Sequence, residues 1–476
     1  MKNQNYVLEL INRFLSDSQY RVAIQIYDGK QILNVSYRDF AMDVLRSANY
    51  FKKKNICGKH IALIGENSYD WLTAFLAIVA SGNTAVLMDP HFSKDNHLNR
   101  CAWTDTFLLC GEKKTVMPMA EDIPTVSFDE LHMEFPMPVE EIADVDPDAT
   151  TVMMFTSGTM GKSKVAELTY ANLLSSIHSG DAVFSAKGID RVMIVLPMFH
   201  ISGLRGTLAM LNRYKMLCIG RGPKYLFKDM PMLSPDYVSL VPMMVESVVK
   251  RLKNLLNTEN KEEILGRNLK RICVGGSNID PNLCRYLLEQ GILIDGGYGM
   301  TETTGVGTWG AWDEKHFNTI GKLSDQIQCK IVDGELLFRG SSVMKGYYKD
   351  DEETSAVINE GWLHSGDLGY CDADGFYYIT GRKKNLIVLS NGEKVNPEEV
   401  EDYFNNCPAI QECIVFYNGK VLCMEAYAQD ENKVRRAVDE YNEKMPLSYQ
   451  IHKLLLRKVP LDRNATGKLV RKGDTK

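Results

Sequence analysis

Apolar positions in the first part of the chain alternate between helical and strand spacing. Tyr37–Lys53 reads as a helix, His60–Ile64 as a strand, 71–80 as a buried helix, and Thr84–Met88 as a strand before Asp89-Pro90. Such alternation predicts an α/β sheet with parallel strands. The pattern resumes with strands at 191–196, 214–219, 237–241, 269–274 and 291–295 and helices between them. From 327 to 339 the strands are denser and separated by Asp333-Gly334, which predicts a small antiparallel element. Beyond Arg382 the pattern changes to a β-rich start, a helix at 397–406, strands at 410–417 and 421–428, and a charged helix at 431–444. The expected fold is α/β: a large N-terminal domain of several subdomains with mixed sheets (1–382), and a small mobile α+β lid (383–476).

Composition narrows the function classes. A chain of 476 residues has room for a large core, and its length suggests two to four structural units. Its net charge of -6 gives no support to nucleic-acid binding, and Lys52-Lys53-Lys54 reads as a solvated helix end. The eleven cysteines are scattered, without a C-x-x-C pair or a Cys/His metal spacing, which suits a reducing cytoplasm. The N-terminus mixes charged and apolar residues at helical spacing (Leu8, Ile11, Phe14, Leu15) and lacks the core of a signal peptide. The most apolar segment, 71–80, is about half a membrane span, so no integral membrane association is expected.

Candidate chemistry is densest at Thr156-Ser-Gly-Thr-Met-Gly-Lys-Ser-Lys164, which follows the apolar run Val152-Met-Met-Phe155. Glycines let the backbone approach an anion, and N–H groups, hydroxyls and lysines surround phosphate oxygens. Three readings of this loop stand side by side. A P-loop needs G-x-x-x-x-G-K-[ST], and Gly161-Lys162-Ser163 supplies the second half while Thr156 occupies the first glycine's place. A polar surface turn is the plain alternative. The third is a resemblance to the T-S-G-[ST]-T-G-x-P-K-G signature of the adenylate-forming (AMP-binding) superfamily, from which Met160, Ser163 and Val165 depart.

The resemblance extends along most of the chain. Gly334-Glu-Leu-Leu-Phe-Arg-Gly340 through Met344-Lys-Gly-Tyr-Tyr348 is similar to the family's G-E-L-x-x-R-G…M-x-G-Y segment. Gly361-Trp-Leu-His-Ser-Gly-Asp367 resembles G-W-x-x-[ST]-G-D, and Gly381-Arg-Lys-Lys-Asn385 follows it. Tyr298-Gly-Met-Thr-Glu302 resembles Y-G-x-T-E, and Ala465-Thr-Gly-Lys468 ends the C-terminal catalytic motif. Membership implies that ATP activates a carboxylic acid as acyl-AMP, with release of pyrophosphate. A carboxylate is ionised at pH 7, so the chemistry needs donors and alignment rather than a general base.

By this resemblance Thr156, Ser157, Gly158, Thr159, Lys162 and Lys164 would hold the β- and γ-phosphates, and Glu302 would bind Mg²⁺. Thr301 would donate to the α-phosphate and Tyr298 would lie against adenine. Gly275, Gly276, Ser277, Gly296 and Gly297 would line the adenine and acyl pockets, Gly296 standing where many members carry a polar side chain. Asp367 would accept both ribose hydroxyls, with Arg382 in support. Lys468 would bridge the acyl carboxylate and the α-phosphate, and Lys384 would be the hinge of the lid.

Pro197-Met-Phe-His-Ile-Ser-Gly203 resembles the F-H-x-x-G segment of acyl- and aryl-CoA ligases, with His200 as an aromatic gate. Amino-acid-activating members carry an aspartate near here, and 196–211 has none. Arg205, just beyond, has a reading as partner of a second substrate carboxylate and a plainer one as a helix-surface arginine. Ser390-Asn-Gly-Glu-Lys-Val395 is similar to the loop lining the pantetheine tunnel, with Gly392 at its narrow point. The expected acceptor is therefore coenzyme A, with an acyl carrier protein as the alternative.

Overall fold

The computed structural model describes residues 6–16, 20–144, 146–156, 164–184, 188–255, 261–275, 279–313, 315–316, 319–389, 393–462 and 469. Two large sheets carry the N-terminal part. A seven-stranded sheet runs in the order Gly346–Tyr347, Lys164–Thr169, Thr150–Thr156, Thr84–Met88, His60–Ile64, Leu108–Gly111, Thr125–Ser127. Its strands from 150–156 outward are parallel, whereas Lys164–Thr169 and Gly346–Tyr347 add antiparallel. The helix Tyr69–Ala80 packs against it, buried from Trp71 to Ala80. That helix begins two residues before its apolar run because the Ser68 hydroxyl caps the Trp71 N–H at 3.1 Å.

A fourteen-stranded sheet forms the second layer. Its parallel half orders Val22–Tyr27, Met216–Ile219, Arg191–Ile194, Tyr237–Leu240, Arg271–Val274 and Leu293–Tyr298. Its antiparallel half continues through Thr308–Ala311, Gly321–Leu323, Phe376–Arg382, Trp362–Cys371, Glu335–Arg339 and Gln328–Val332. The hairpin expected at 327–339 is present, with Asp333 at φ 50 and Gly334 at φ 78 in its turn, but it is the rim of this large sheet rather than a separate element. The first sheet changes from parallel to antiparallel pairing at Thr150–Thr156, and the second does so at Leu293–Tyr298, as well as at its far edge, where Ile32–Ser36 adds antiparallel to Val22–Tyr27. Thr150–Thr156 and Leu293–Tyr298 end at the candidate site.

The C-terminal residues form a separate small α+β domain. Glu412–Tyr417 and Leu422–Tyr427 pair antiparallel, and Ile451–Arg457 adds parallel to the second. Helices Pro397–Asn405 and Glu431–Asn442 cover them, closing a core of their own around Val400, Phe404, Met424, Val434, Tyr441 and Ile451. All eleven cysteines are free thiols. Among the described residues no helix is long and apolar enough to cross a membrane.

Candidate active site

Thr156 and Lys164, the first and last residues of the expected phosphate loop, are cross-strand partners, and Thr156 stands at the end of a largely buried strand. Ser157, Gly158, Thr159 and Lys162 lie outside the described residues, as do Gly276, Ser277, Gly392 and Lys468. The Lys164 ammonium, largely buried, pairs with the Glu353 carboxylate and sits 4.9 Å from the Tyr347 ring centroid. Tyr347 in turn donates its hydroxyl to Glu302 Oε1 at 2.9 Å, and the Met344 N–H donates to the Glu302 carbonyl at 2.8 Å. A half-buried cation takes a carboxylate wherever one is in reach. Lys164 is thus tied through Tyr347 to Glu302, a partnership the motif did not announce.

Thr301 and Glu302 occupy a single tight helical turn, Thr301–Thr303, directly after Gly299 and Met300. Thr304 ends it with φ 52, a left-handed conformation unusual for a β-branched residue. It is held there because the Thr304 hydroxyl donates to the Ser342 carbonyl at 2.7 Å and the Ser176 hydroxyl donates to the Thr304 carbonyl at 2.6 Å. The backbone beneath Glu302 is fixed by the fold around it.

Tyr298, Asp367 and Arg382 meet. Asp367 and Arg382 are cross-strand partners, with Arg382 Nε 2.6 Å from Asp367 Oδ1, and the Tyr298 hydroxyl donates to Asp367 Oδ2. The Asp367 residue is 2% exposed. Burial, and then the charge of Asp367, push the Tyr298 phenol well above its ordinary range, so it stays a donor. Its ring lies over Phe338, centroids 5.8 Å apart.

Gly296 and Gly297 are glycines for a visible reason. A Cβ on Gly296 would lie 2.2 Å from the Trp312 indole, and one on Gly297 2.7 Å from Trp309. Two tryptophans from the neighbouring antiparallel segment cover the strand at Gly296 and Gly297. A Cβ on Gly275 would meet nothing within 4 Å.

At the entrance to the small domain, the buried carboxylate of Glu335 gathers three donors: Lys383 Nζ at 2.7 Å, His364 Nδ1 at 3.1 Å and the Gly366 N–H at 3.0 Å. Burial alone would raise its pKa, but the Lys383, His364 and Gly366 contacts outweigh it and the net shift is downward. Lys384 follows in the short turn Lys383–Asn385. The motifs quote Glu335 and Lys383 without hinting that they pair across 48 residues.

His200 immediately precedes helix Ile201–Asn212, without a capping side-chain hydrogen bond, and lies against Phe199, ring centroids 4.6 Å apart. Protein on the ring's inner side lowers its pKa, which keeps the imidazole neutral at pH 7, although one edge is open to solvent. One turn on, Arg205 gives an NH2 bond to Ser179 Oγ at 2.6 Å, while its Nε is buried without a hydrogen-bond partner. Its stem packs on Gly305, 3.1 Å from where a Cβ would stand, beside the Thr301–Thr303 turn. Burial lowers its pKa, and no carboxylate among the described residues neutralises it.

The family models for the AMP-binding enzyme and for the AMP-binding enzyme C-terminal domain match residues 17–348 and 384–474. The chain belongs to the AMP-binding enzyme family. It is 28% identical over 440 residues to a 2-succinylbenzoate–CoA ligase of Bacillus cereus, covering 87% of this chain and 88% of the relative. Among solved structures, it resembles the o-succinylbenzoate CoA synthetase of Bacillus subtilis with its acyl-adenylate OSB-AMP, at TM-score 0.83 and 25% identity over 99% of this chain and 98% of that one. The same enzyme with ATP and magnesium gives TM-score 0.81 and 25% identity, covering 98% of both chains. The protein is an AMP-forming acid–thiol ligase of the aryl-CoA synthetase type: it activates a carboxylic acid as acyl-AMP and transfers the acyl group to coenzyme A, using ATP and Mg²⁺.

Proposed function

We propose that the acid is an aryl dicarboxylate of the 2-succinylbenzoate class, with one carboxylate activated and the other received by Arg205. The observation that carries this reading is the half-buried Arg205 guanidinium, whose buried Nε has no hydrogen-bond partner and which no carboxylate among the described residues neutralises. A desolvated guanidinium is costly until an anion reaches it. The name of the curated relatives, 2-succinylbenzoate–CoA ligase, belongs to an acid of that class.

In the first half-reaction the ionised substrate carboxylate attacks the α-phosphorus of ATP, a P–O bond forms, and pyrophosphate leaves with the electron pair of the broken bond. Thr156, Ser157, Gly158, Thr159, Lys162 and Lys164 hold the β- and γ-phosphates, which requires Lys164 to share its charge between phosphate and Glu353. Glu302 suits Mg²⁺: it accepts only a neutral hydroxyl, from Tyr347, and no lysine or arginine among the described residues ion-pairs it. Held by Glu302, Mg²⁺ would supply positive charge to neutralise the phosphates. Thr301 and Lys468 steady the α-phosphate, Asp367 with Arg382 takes the ribose hydroxyls, and Tyr298, Gly275, Gly276, Ser277 and Gly297 line the nucleotide and acyl pockets.

In the second half-reaction the CoA thiol loses its proton, its sulfur bonds to the acyl carbon, and AMP departs. Gly392 lines the pantetheine path, His200 gates the acyl pocket, and the domain after Arg382 turns at Lys384 between the steps. Eleven cysteines without a disulfide among them support a reducing compartment, the cytoplasm.

Pyrophosphate release tests the substrate. With CoA present, 2-succinylbenzoate should exceed benzoate and octanoate by at least about 30-fold in kcat/KM, since losing one partner of a buried charge pair costs about 2–5 kcal/mol. Arg205→Gln should raise KM for the diacid and leave benzoate unchanged. Equal use of mono- and dicarboxylic acids by the wild type would remove the second-carboxylate reading.

A further inference from the structure

Outside the nucleotide site, the segment that follows Thr308–Ala311 folds back onto the hairpin turn between Trp362–Cys371 and Phe376–Arg382. His316 is 7% exposed there, its ring stacked on Phe376 with centroids 3.9 Å apart at 18°. Asp313 Oδ1 lies 2.9 Å from His316 Nδ1 and accepts the His316 and Lys315 N–H groups at 2.9 Å each. A carboxylate facing Nδ1 keeps the ring proton on that atom and leaves the lone pair on Nε2.

That Nε2 is buried and has no hydrogen-bond partner among the described residues, yet it stands 3.4 Å from Asp374 Oδ2. Lone pair faces lone pair. Something positive must bridge them, either a proton or a cation. One ligand atom each from His316, Asp372 and Asp374 all fall within 4.8 Å of one another. Ligands at about 2.1 Å from one tetrahedral ion would stand about 3.4 Å apart, so the cluster needs only a small contraction. The Asp372 carboxylate is already oriented: Oδ1 accepts the Asp374 and Phe376 N–H groups at 3.0 and 2.9 Å, and Oδ2 accepts the Tyr378 hydroxyl at 3.1 Å. Asp374 is exposed and opens the cluster to solvent. Three carboxylates (Asp313, Asp372, Asp374) face one lysine, Lys315, whose side chain is 72% exposed and free to leave Asp374.

We propose that His316 Nε2, Asp372 and Asp374 form a site for a divalent transition-metal cation, Zn²⁺ foremost, with Asp313 orienting the imidazole from behind. One His nitrogen and carboxylate oxygens suit Zn²⁺ and Co²⁺ better than Mg²⁺. These residues are not those of the nucleotide motifs: Asp372 lies just past the strand Trp362–Cys371, five residues beyond Asp367, at most about 16 Å at strand rise. Bound there, the cation ties 313–316 to the hairpin that leads into Lys383 and Lys384.

The test uses the full-length chain without a histidine tag or nucleotide, titrated with Co²⁺ and then Zn²⁺. One Co²⁺ should bind with d–d bands and no thiolate charge-transfer band, and Zn²⁺ should displace it. His316→Gln and Asp374→Asn should each weaken binding at least tenfold, Asp313→Asn about 10–100-fold, while Lys315→Ala tightens it. Circular dichroism checks the fold, and Asp374→Asn, an exposed-turn change, decides if His316→Gln fails to fold. No Co²⁺ binding up to about 1 mM would assign Nε2 to a proton instead of the sub-millimolar site expected here. A thiolate band implicating the neighbouring exposed Cys371, or unchanged binding in Asp374→Asn, would equally overturn the proposal.

Discussion

The carboxylate of Asp367 sits under more constraint than its motif conveys, because Tyr298 and Arg382 fix both of its oxygens inside a nearly closed pocket. Asp367→Asn would present an amide to a phenol and a guanidinium, pairing donor with donor. Loss of a charge-assisted contact of this kind costs about 1.5–3 kcal/mol, so the KM for ATP should rise roughly 10–100-fold in a pyrophosphate-release assay. An unchanged KM for ATP would place the ribose elsewhere. Lys468→Ala belongs to the same scale. One preorganised donor at a charged transition state is worth about 10²–10³ in rate, so adenylation should fall by that factor while thioester formation from supplied acyl-AMP changes little. An adenylation rate within about threefold of wild type would take Lys468 out of the mechanism, on the same scale of donor effects. At single residues the motifs singled out Tyr298, Thr301, Glu302, Asp367 and Arg382, because each stands in a short unbroken string, and the structure brings Tyr298, Asp367 and Arg382 together. They left Glu353 with Lys164, Tyr347 with Glu302, and Glu335 with Lys383 unread. Those pairs span 189, 45 and 48 residues, and nothing local in a sequence records which distant charge will share a pocket.

Among the elements, strands buried on both faces were the easiest to read. His60–Ile64, Thr84–Met88 and Tyr237–Leu240 are short apolar runs, the mark of a parallel sheet with covered faces. Pairing was harder. Val22–Tyr27 and Ile32–Ser36 precede the first sheet in sequence but join the far edge of the second, where Val22–Tyr27 pairs with Met216–Ile219. Ile451–Arg457 went unread because its exposed His452 and Lys453 interrupt the apolar pattern before a parallel partner rescues it. Leu293–Tyr298 holds the most consequential local choice, its Gly-Gly pair beneath Trp312 and Trp309. Gly296→Ala should push Trp312 aside. Overpacking of this kind costs about 1–3 kcal/mol, which a lower urea midpoint at unchanged slope would register. A midpoint equal to that of wild type would mean that the indole moves freely and that the glycine answers to something else.

On the scale of the whole molecule, the candidate site residues Thr156 and Tyr298 lie on the two strands where parallel pairing gives way to antiparallel pairing. Ligands in open α/β sheets gather at the carboxyl ends of strands, and Thr156 and Tyr298 occupy such ends. The small domain, by contrast, has its own core and enters through Lys383–Asn385, where Lys383 reaches back to Glu335. Two half-reactions with different acceptors, pyrophosphate leaving in one and a thiol arriving in the other, ask for two poses of that domain. Proline at position 384 would fix φ there and disfavour the helical conformation that Lys383 holds in this turn. Lys384→Pro should therefore restrict the hinge without touching either core. Its two half-reactions, measured separately, should part company: acyl-AMP formation retained, thioester formation lowered at least about tenfold, equivalent to about 1.4 kcal/mol of barrier. Equal loss of both steps in a folded mutant would mean that the small domain does not alternate, and that one pose serves the whole reaction.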